Sequence, residues 1–450
     1  MVPNSPEQTE AGDLAAFWMP FSANRYFKQE PRLIAEAAGM YYTTSGGDSL
    51  LDGTAGLWCV NAGHGRREIS TAVGDQLARL DYAPTFQLGH PLAFEFADRL
   101  AGHLPAGIDH VFFTNSGSEA AETALKIARA YQKRRGAGER WRLIGREKAY
   151  HGTNFGGVSV GGIVNNRRAF GPLVPGTDHI RNTFDLERNA FTRGLPEYGD
   201  EHADDIEQLV QLHGAETIAA VIVEPIAGSG GVFMPSRGYL RRVREICDRH
   251  DILLIFDEVI TGFGRLGEAF ASQRFDVTPD LICMAKGLTN GVIPMGAVGV
   301  TGTIYEAFMD TGAPRGHAIE LFHGYTYSGN PAACAAGMAA LDIYEREGLF
   351  TRVRELAPYW EDALHSLADA PNVIDVRNFG LIGAVHLASK PDAVGERGFA
   401  AFRHCFDHGA LIRVTADIIA LSPPLIIERA EIDRLIETLH DGLQAVAQAH

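Results

Sequence analysis

Short apolar runs alternate with helix-period segments through the middle of the chain. Val111–Thr114, Arg142–Gly145, Ile218–Val223, Ile252–Asp257, Leu281–Met284 and Ala297–Val300 each read as a buried strand. Glu119–Gln132 and Tyr239–His250, lying between them, read as helices. The alternation predicts βαβ units, a largely parallel sheet and one large α/β domain over residues 70–330. After Pro331 the pattern changes. Ala332–Glu347 reads as a long helix, and Val373–Val376, Gly383–Leu387, Leu411–Val414 and Ile418–Leu421 as strands of a smaller α+β domain over residues 331–450. The last helix carries a 3.6-period stripe of Ile432, Leu435, Ile436, Leu439, Leu443 and Val446, which is core packing. Residues 1–69 hold two strand-like stretches, Gly39–Tyr42 and Ser49–Asp52, and are expected to pack with the small domain.

Composition fits that picture. With 46% hydrophobic and 21% charged residues over 450 positions, the chain is of ordinary globular make-up and long enough to fold without disulfides or metal. Its 50 glycines exceed the usual share of about 7%, so many tight turns or close ligand approaches are expected. A net charge of −16 argues against nucleic acid and anionic membranes as partners. The five cysteines (Cys59, Cys247, Cys283, Cys334, Cys405) form no CxxC pair, which disfavours a zinc site or a disulfide framework. No signal peptide and no membrane span is read, so a soluble cytoplasmic protein is expected.

Four segments carry candidate chemistry. Asn115–Ala120 follows a strand and opens a helix, where small residues leave free N–H groups for an anion; helix capping by Ser116 or Ser118 is the competing account. Asp257 ends a buried run, at the edge where parallel sheets bind ligands, and needs a cationic partner; a structural ion pair is the other reading. Lys286 follows Leu281–Ala285, and burial there favours its neutral, nucleophilic form, although a snorkelling lysine fits as well. Tyr150-His151-Gly152 lies in a glycine-rich loop, where the aromatic ring lies on a planar ligand or simply packs. Gly228–Gly231 departs from the dinucleotide fingerprint, because Phe233 fills its last glycine position. A phosphate cradle, a stacking ring, a carboxylate and a lysine, each at a strand end, together suit pyridoxal phosphate.

The sequence resembles the class III aminotransferases, of the fold-type I pyridoxal-phosphate enzymes, and within them the β-alanine–pyruvate and ω-amine–pyruvate branch. The resemblance rests on Met19–Arg25, Leu51–Arg66, Asn115–Ala120, Tyr150–Gly152, Glu224–Gly231, Asp257–Arg265, Lys286–Gly291 and His323–Pro331, and spans Trp18 to Pro424. It implies a large domain with a mostly parallel sheet beside a smaller α+β domain, and pyridoxal 5'-phosphate as cofactor. It further implies that Lys286 forms the Schiff base and moves the proton, and that Asp257 pairs with the ring nitrogen. Tyr150 and Val259 would cover the two ring faces. Ser116, Gly117 and Ser118 would hold the phosphate, with His151 and Glu224 supporting the cofactor. Thr326 would reach the phosphate of a partner subunit, so a homodimer with shared sites is expected, with a tetramer also open. Phe21, Trp58, Phe86 and Tyr150 would line the substrate slot, and Arg413 would grip a carboxylate.

The resemblance thus implies transfer of an amino group from an ω-amino acid such as β-alanine, or from a primary amine, to pyruvate. Ile260, where 4-aminobutyrate and ornithine relatives carry Gln, favours the pyruvate-using branch. Leu266 stands where a threonine is common, and Ala416 where a glycine is often seen, close to Arg413. Alternatives are 4-aminobutyrate or diamine transamination with 2-oxoglutarate, an aminomutase or decarboxylase, a binding protein that lost the chemistry, and an NAD-dependent dehydrogenase.

Overall fold

The structure is a computed structural model that describes residues 14–310 and 318–448. Near the N-terminus β1 (Ile34–Ala38), β2 (Tyr41–Thr44) and β3 (Ser49–Asp52) form an antiparallel meander. The large sheet is built from β4 (Ile108–Thr114), β5 (Arg142–Arg146), β6 (Thr177–Ile180), β7 (Ile218–Val223), β8 (Leu253–Asp257), β9 (Leu281–Ala285) and β10 (Gly296–Thr301). Its strand order is β4-β10-β9-β8-β7-β5-β6. β10 runs antiparallel to both its neighbours, and the other six strands are parallel to one another. The C-terminal part contributes β11 (Val373–Phe379), β12 (Ile382–Leu387), β13 (Ala410–Leu411), β14 (Arg413–Thr415) and β15 (Ile418–Leu421).

The central strands are apolar throughout because both faces are covered. On β8, Leu254 and Phe256 enter one core while Leu253 and Ile255 enter the other. β7 divides likewise, with Val221 and Val223 on one side and Ala220 and Ile222 on the other. The helix Gly117–Arg134 closes the second core with Ala120, Ala121, Ala124 and Ala128, whose small side chains let it lie low on the sheet. Ser116 Oγ accepts the Glu119 N–H at 3.2 Å and the Glu119 carboxylate accepts the Asn115 N–H at 2.7 Å, a reciprocal cap that fixes where this helix begins.

Two expected strands are placed differently. Gly39–Tyr42 is interrupted: Gly39 turns the chain at φ 57°, and strands lie on either side of that turn. Leu411–Val414 is split. β13 pairs in parallel with β3, whereas β14 pairs antiparallel with β15, in a separate sheet of order β11-β12-β15-β14. A short run of apolar residues does not show that its two halves pair with different sheets. The Gly228–Gly231 stretch is a one-turn helix, not a dinucleotide loop. No helix among the described residues is long and apolar enough to cross a membrane.

Candidate active site

Six parallel strands point their C-terminal ends at one edge of the large sheet, and five of those ends meet around a cavity of about 140 Å³. β4 leads into Gly117 and Ser118, β5 into Tyr150, His151 and Gly152, β7 into Glu224, β8 into Asp257, and β9 into Lys286; all of them line the cavity. This is where an open α/β sheet places a ligand.

Asp257 is buried, and its carboxylate is held on both oxygens. Oδ2 accepts from His151 Nδ1 at 2.8 Å, and Oδ1 accepts from the Val259 N–H at 3.1 Å. The partner that burial demanded is thus the His151 imidazole, whose other ring nitrogen, Nε2, is buried without a partner. Glu224 lies behind this pair. It accepts the N–H groups of Tyr150 at 2.9 Å and Gly228 at 3.1 Å, so one carboxylate joins the β5 and β7 loops. Burial pushes the Glu224 carboxyl above its ordinary pKa, opposed by His151 and assisted by Asp257.

Lys286 has left-handed backbone, φ 54°, and keeps some side-chain surface facing the cavity. The packing around its amine lowers the pKa below the ordinary lysine value, the pull of Cys59 and Asp257 toward the charged form being smaller. Across the cavity, burial and then Asp257 raise the Tyr150 phenol, while the charge of Arg413 opposes the rise. Arg413 on β14 therefore stands near Tyr150. Its own pKa is lowered by burial, and its Nε is buried without a partner.

The floor of the cavity suits an anion. The first turn of the helix Gly117–Arg134 leaves the Gly117 and Ser118 N–H groups without an intrahelical carbonyl, at the positive end of an 18-residue helix. Bare backbone is required here. A Cβ on Gly117 would stand 3.1 Å from both Val259 methyls, and one on Gly152, at φ 90°, would stand 2.5 Å from Ser118 Cα. Ser118 Oγ accepts the Thr153 N–H at 3.1 Å, which holds the β5 loop over that floor.

Ser116 is the cap of that helix, and its capping bond to Glu119 leaves the Gly117 and Ser118 N–H groups open. Trp58 is buried, in one apolar cluster with Ile226, Ala227, Ile260 and Ile418, and Ile260 lines the cavity. Phe21, Phe86 and Thr326 are exposed and lie outside the cavity walls. Phe86 packs over Gly324 in a separate groove of about 290 Å³, and the Thr326 carbonyl accepts from Tyr82 Oη at 3.0 Å. Gly152, Ile260 and Ala285 line the cavity without having been picked out as site residues; for Gly152, its place after Tyr150-His151 in a glycine-rich loop was the available signal.

A lysine and a carboxylate in the walls of one cavity, together with the start of a helix, fit a pyridine aldehyde that carries a phosphate. The comparisons agree. The family model for aminotransferase class-III matches residues 22–443. The chain is 59% identical over 437 residues to an omega-aminotransferase of Caulobacter vibrioides, covering 97% of this chain and 99% of that protein. It is 48% identical over 444 residues to the beta-alanine–pyruvate aminotransferase of Pseudomonas aeruginosa, covering 98% of each. Among solved structures, an (S)-enantioselective omega-transaminase from Thermomicrobium roseum superimposes with a TM-score of 0.91 at 36% identity, over 97% of this chain and 98% of that one. The omega transaminase of Pseudomonas jessenii in complex with PMP also gives 0.91, at 30% identity over 98% of this chain and 99% of that one. The chain belongs to the class III aminotransferases, enzymes that work with pyridoxal phosphate.

Proposed function

We propose that the protein transfers an amino group from an ω-amino acid such as β-alanine, or from a primary amine, to pyruvate. The donor leaves as an aldehyde or ketone, and pyruvate becomes alanine. The observation that carries the reading is one cavity walled by both Lys286 and the His151–Asp257 pair at the ends of parallel strands. The similarity to a beta-alanine–pyruvate aminotransferase and to an omega-amino acid–pyruvate aminotransferase of Pseudomonas putida, 46% identical over 446 residues, supports the choice of substrates.

When bound, the cofactor supplies an aldehyde that captures amines and a ring that accepts electrons. Gly117 and Ser118 would hold its phosphate, with Tyr150 and Val259 beside the ring and Asp257 at the ring nitrogen. His151 keeps the Asp257 carboxylate oriented by donating from Nδ1. The Lys286 amine, made easier to deprotonate by burial, would take a proton from the donor's carbon and return it elsewhere. Arg413, whose buried Nε has no hydrogen-bond partner, would receive the carboxylate of pyruvate or alanine. Thr326 is exposed and is not part of its own chain's cavity lining, which supports a homodimer in which it serves the partner's site.

Purified protein given pyridoxal phosphate should develop a visible band that borohydride abolishes, and peptide mapping should find the reduced adduct on Lys286. Protein that gains no band would refute the reading. Arg413→Ala should lose turnover of pyruvate more than reaction with a carboxylate-free amine in the first half-reaction.

A further inference from the structure

Asp52 closes β3 and is fully buried. Its carboxylate gathers four groups. Oδ1 accepts the Thr54 N–H at 2.9 Å and lies 3.0 Å from the Thr54 hydroxyl oxygen. Oδ2 accepts the Gly56 N–H at 2.6 Å and lies 2.8 Å from His64 Nε2, which donates to it. Three of the four belong to one tight turn. That turn is strained: Ala55, Gly56 and Trp58 have φ of 48°, 67° and 63°, and left-handed backbone is unfavourable at the two non-glycine positions. Tyr42 packs on His64 at 4.2 Å between ring centroids, and its Oη would lie 2.9 Å from a Cβ on Gly56. Asp52, Thr54 and His64 are buried, whereas Tyr42 and Gly56 are half-buried.

The gripped turn ends in the apolar cluster behind the cavity. Trp58 enters the apolar cluster that includes Ile260, a cavity wall, and its indole Nε1 is buried without a partner. Cys59, the next residue, stands 3.0 Å from a Cβ position on Gly291, whose N–H donates to the Lys286 carbonyl at 3.2 Å. Asn290 fastens the same two segments, accepting from the Ala62 N–H at 2.8 Å and donating to the Gly63 carbonyl at 3.0 Å. The turn and the lysine segment therefore form one unit, and Asp52 sets the shape of its outer half.

We propose that Asp52 is a positioning residue for the amine donor: by gripping the left-handed turn Thr54–Trp58, it fixes Trp58 in the apolar cluster that backs the cavity wall at Ile260 and so limits the bulk of the carbon skeleton the site admits. The proposal rests on the Lys286 cavity being the transamination site. His64 completes the grip on Oδ2, the oxygen that also accepts the Gly56 N–H.

The test uses the holoenzyme and the variants Asp52→Asn, His64→Ala and His64→Gln. Each is assayed with pyruvate as acceptor and either β-alanine or 1-phenylethylamine as donor, and amide exchange is followed over residues 53–59. Asp52→Asn keeps an acceptor for Thr54 but turns an NH₂ toward the Gly56 N–H. It should keep its cofactor band, speed exchange at Gly56, and lower kcat/KM for β-alanine about tenfold, the loss of one charge-assisted hydrogen bond, while the bulky donor is spared. His64→Ala should move the donor ratio the same way, and His64→Gln, which restores a donor to Oδ2, should move it back. Equal losses for both donors, or an unchanged ratio despite faster exchange, would overturn the proposal. Should Asp52→Asn fail to fold, the His64 pair decides alone. A wild-type protein with no cofactor band would instead sink the transaminase reading itself.

Discussion

An amine in water keeps its proton to about pH 10.4. Lys286 gives its proton up below the ordinary 10.5, because burial penalises the charged form more than Cys59 and Asp257 favour it. Without cofactor, the cost of carrying that charge is fully present below the depressed value. Between that value and 10.5 the unfolded chain binds more protons than the folded one, so stability gains as pH rises through the window. Lys286→Ala should therefore raise the melting temperature of the cofactor-free protein at pH 7, with the gain shrinking toward pH 10, as calorimetry would show. The same change should cut kcat by at least about 10²–10⁴, the scale of a positioned proton carrier. Asp257→Asn keeps the shape and removes the charge, and should lower kcat by about 10–150-fold, the value of a hydrogen bond to a charged group. Lys286 and Asp257 were legible in the sequence because each ends an apolar run. The partner of Asp257 was not, since His151 lies 106 positions away and only strand order brings the two together.

At the level of elements, Gly117 and Gly152 line the cavity where a side chain would collide with its neighbours. Gly152→Ala would press a methyl into Ser118 and demand left-handed backbone from alanine, so the β5 loop must lift from the helix N-terminus. Cofactor affinity, read by titrating the visible band, should fall while the melting temperature of the cofactor-free protein changes little. The helix Leu349–His365 makes the opposite case. Trp360 is fully buried in the main core, and Trp360→Ala should cost about 3–5 kcal/mol in denaturant unfolding without moving KM. Runs covered on both faces, such as β7 and β8, could be read from composition alone. β6 could not: Thr-Asp-His-Ile is an edge strand with one neighbour, and its polar residues hide it. β1 was missed for a similar reason, being almost wholly exposed.

Across the whole molecule, Thr326 tests how many chains make a site. If it serves the partner's cavity, Thr326→Ala should bind cofactor more weakly although it touches nothing in its own cavity. Mixing that variant with Lys286→Ala should restore one intact site in each mixed dimer, measurable as activity above the sum of the two parents. The split at Ile412 reaches further. Within six residues the chain leaves the N-terminal meander through β13 and enters the C-terminal sheet as β14, so Arg413 takes its bearings from both. A chimaera that borrows its C-terminal third from a relative would sever β13 from β3 unless residues 34–52 travelled with it. The natural crossover points for exchanging substrate preference therefore come as a matched pair at the two ends of the chain.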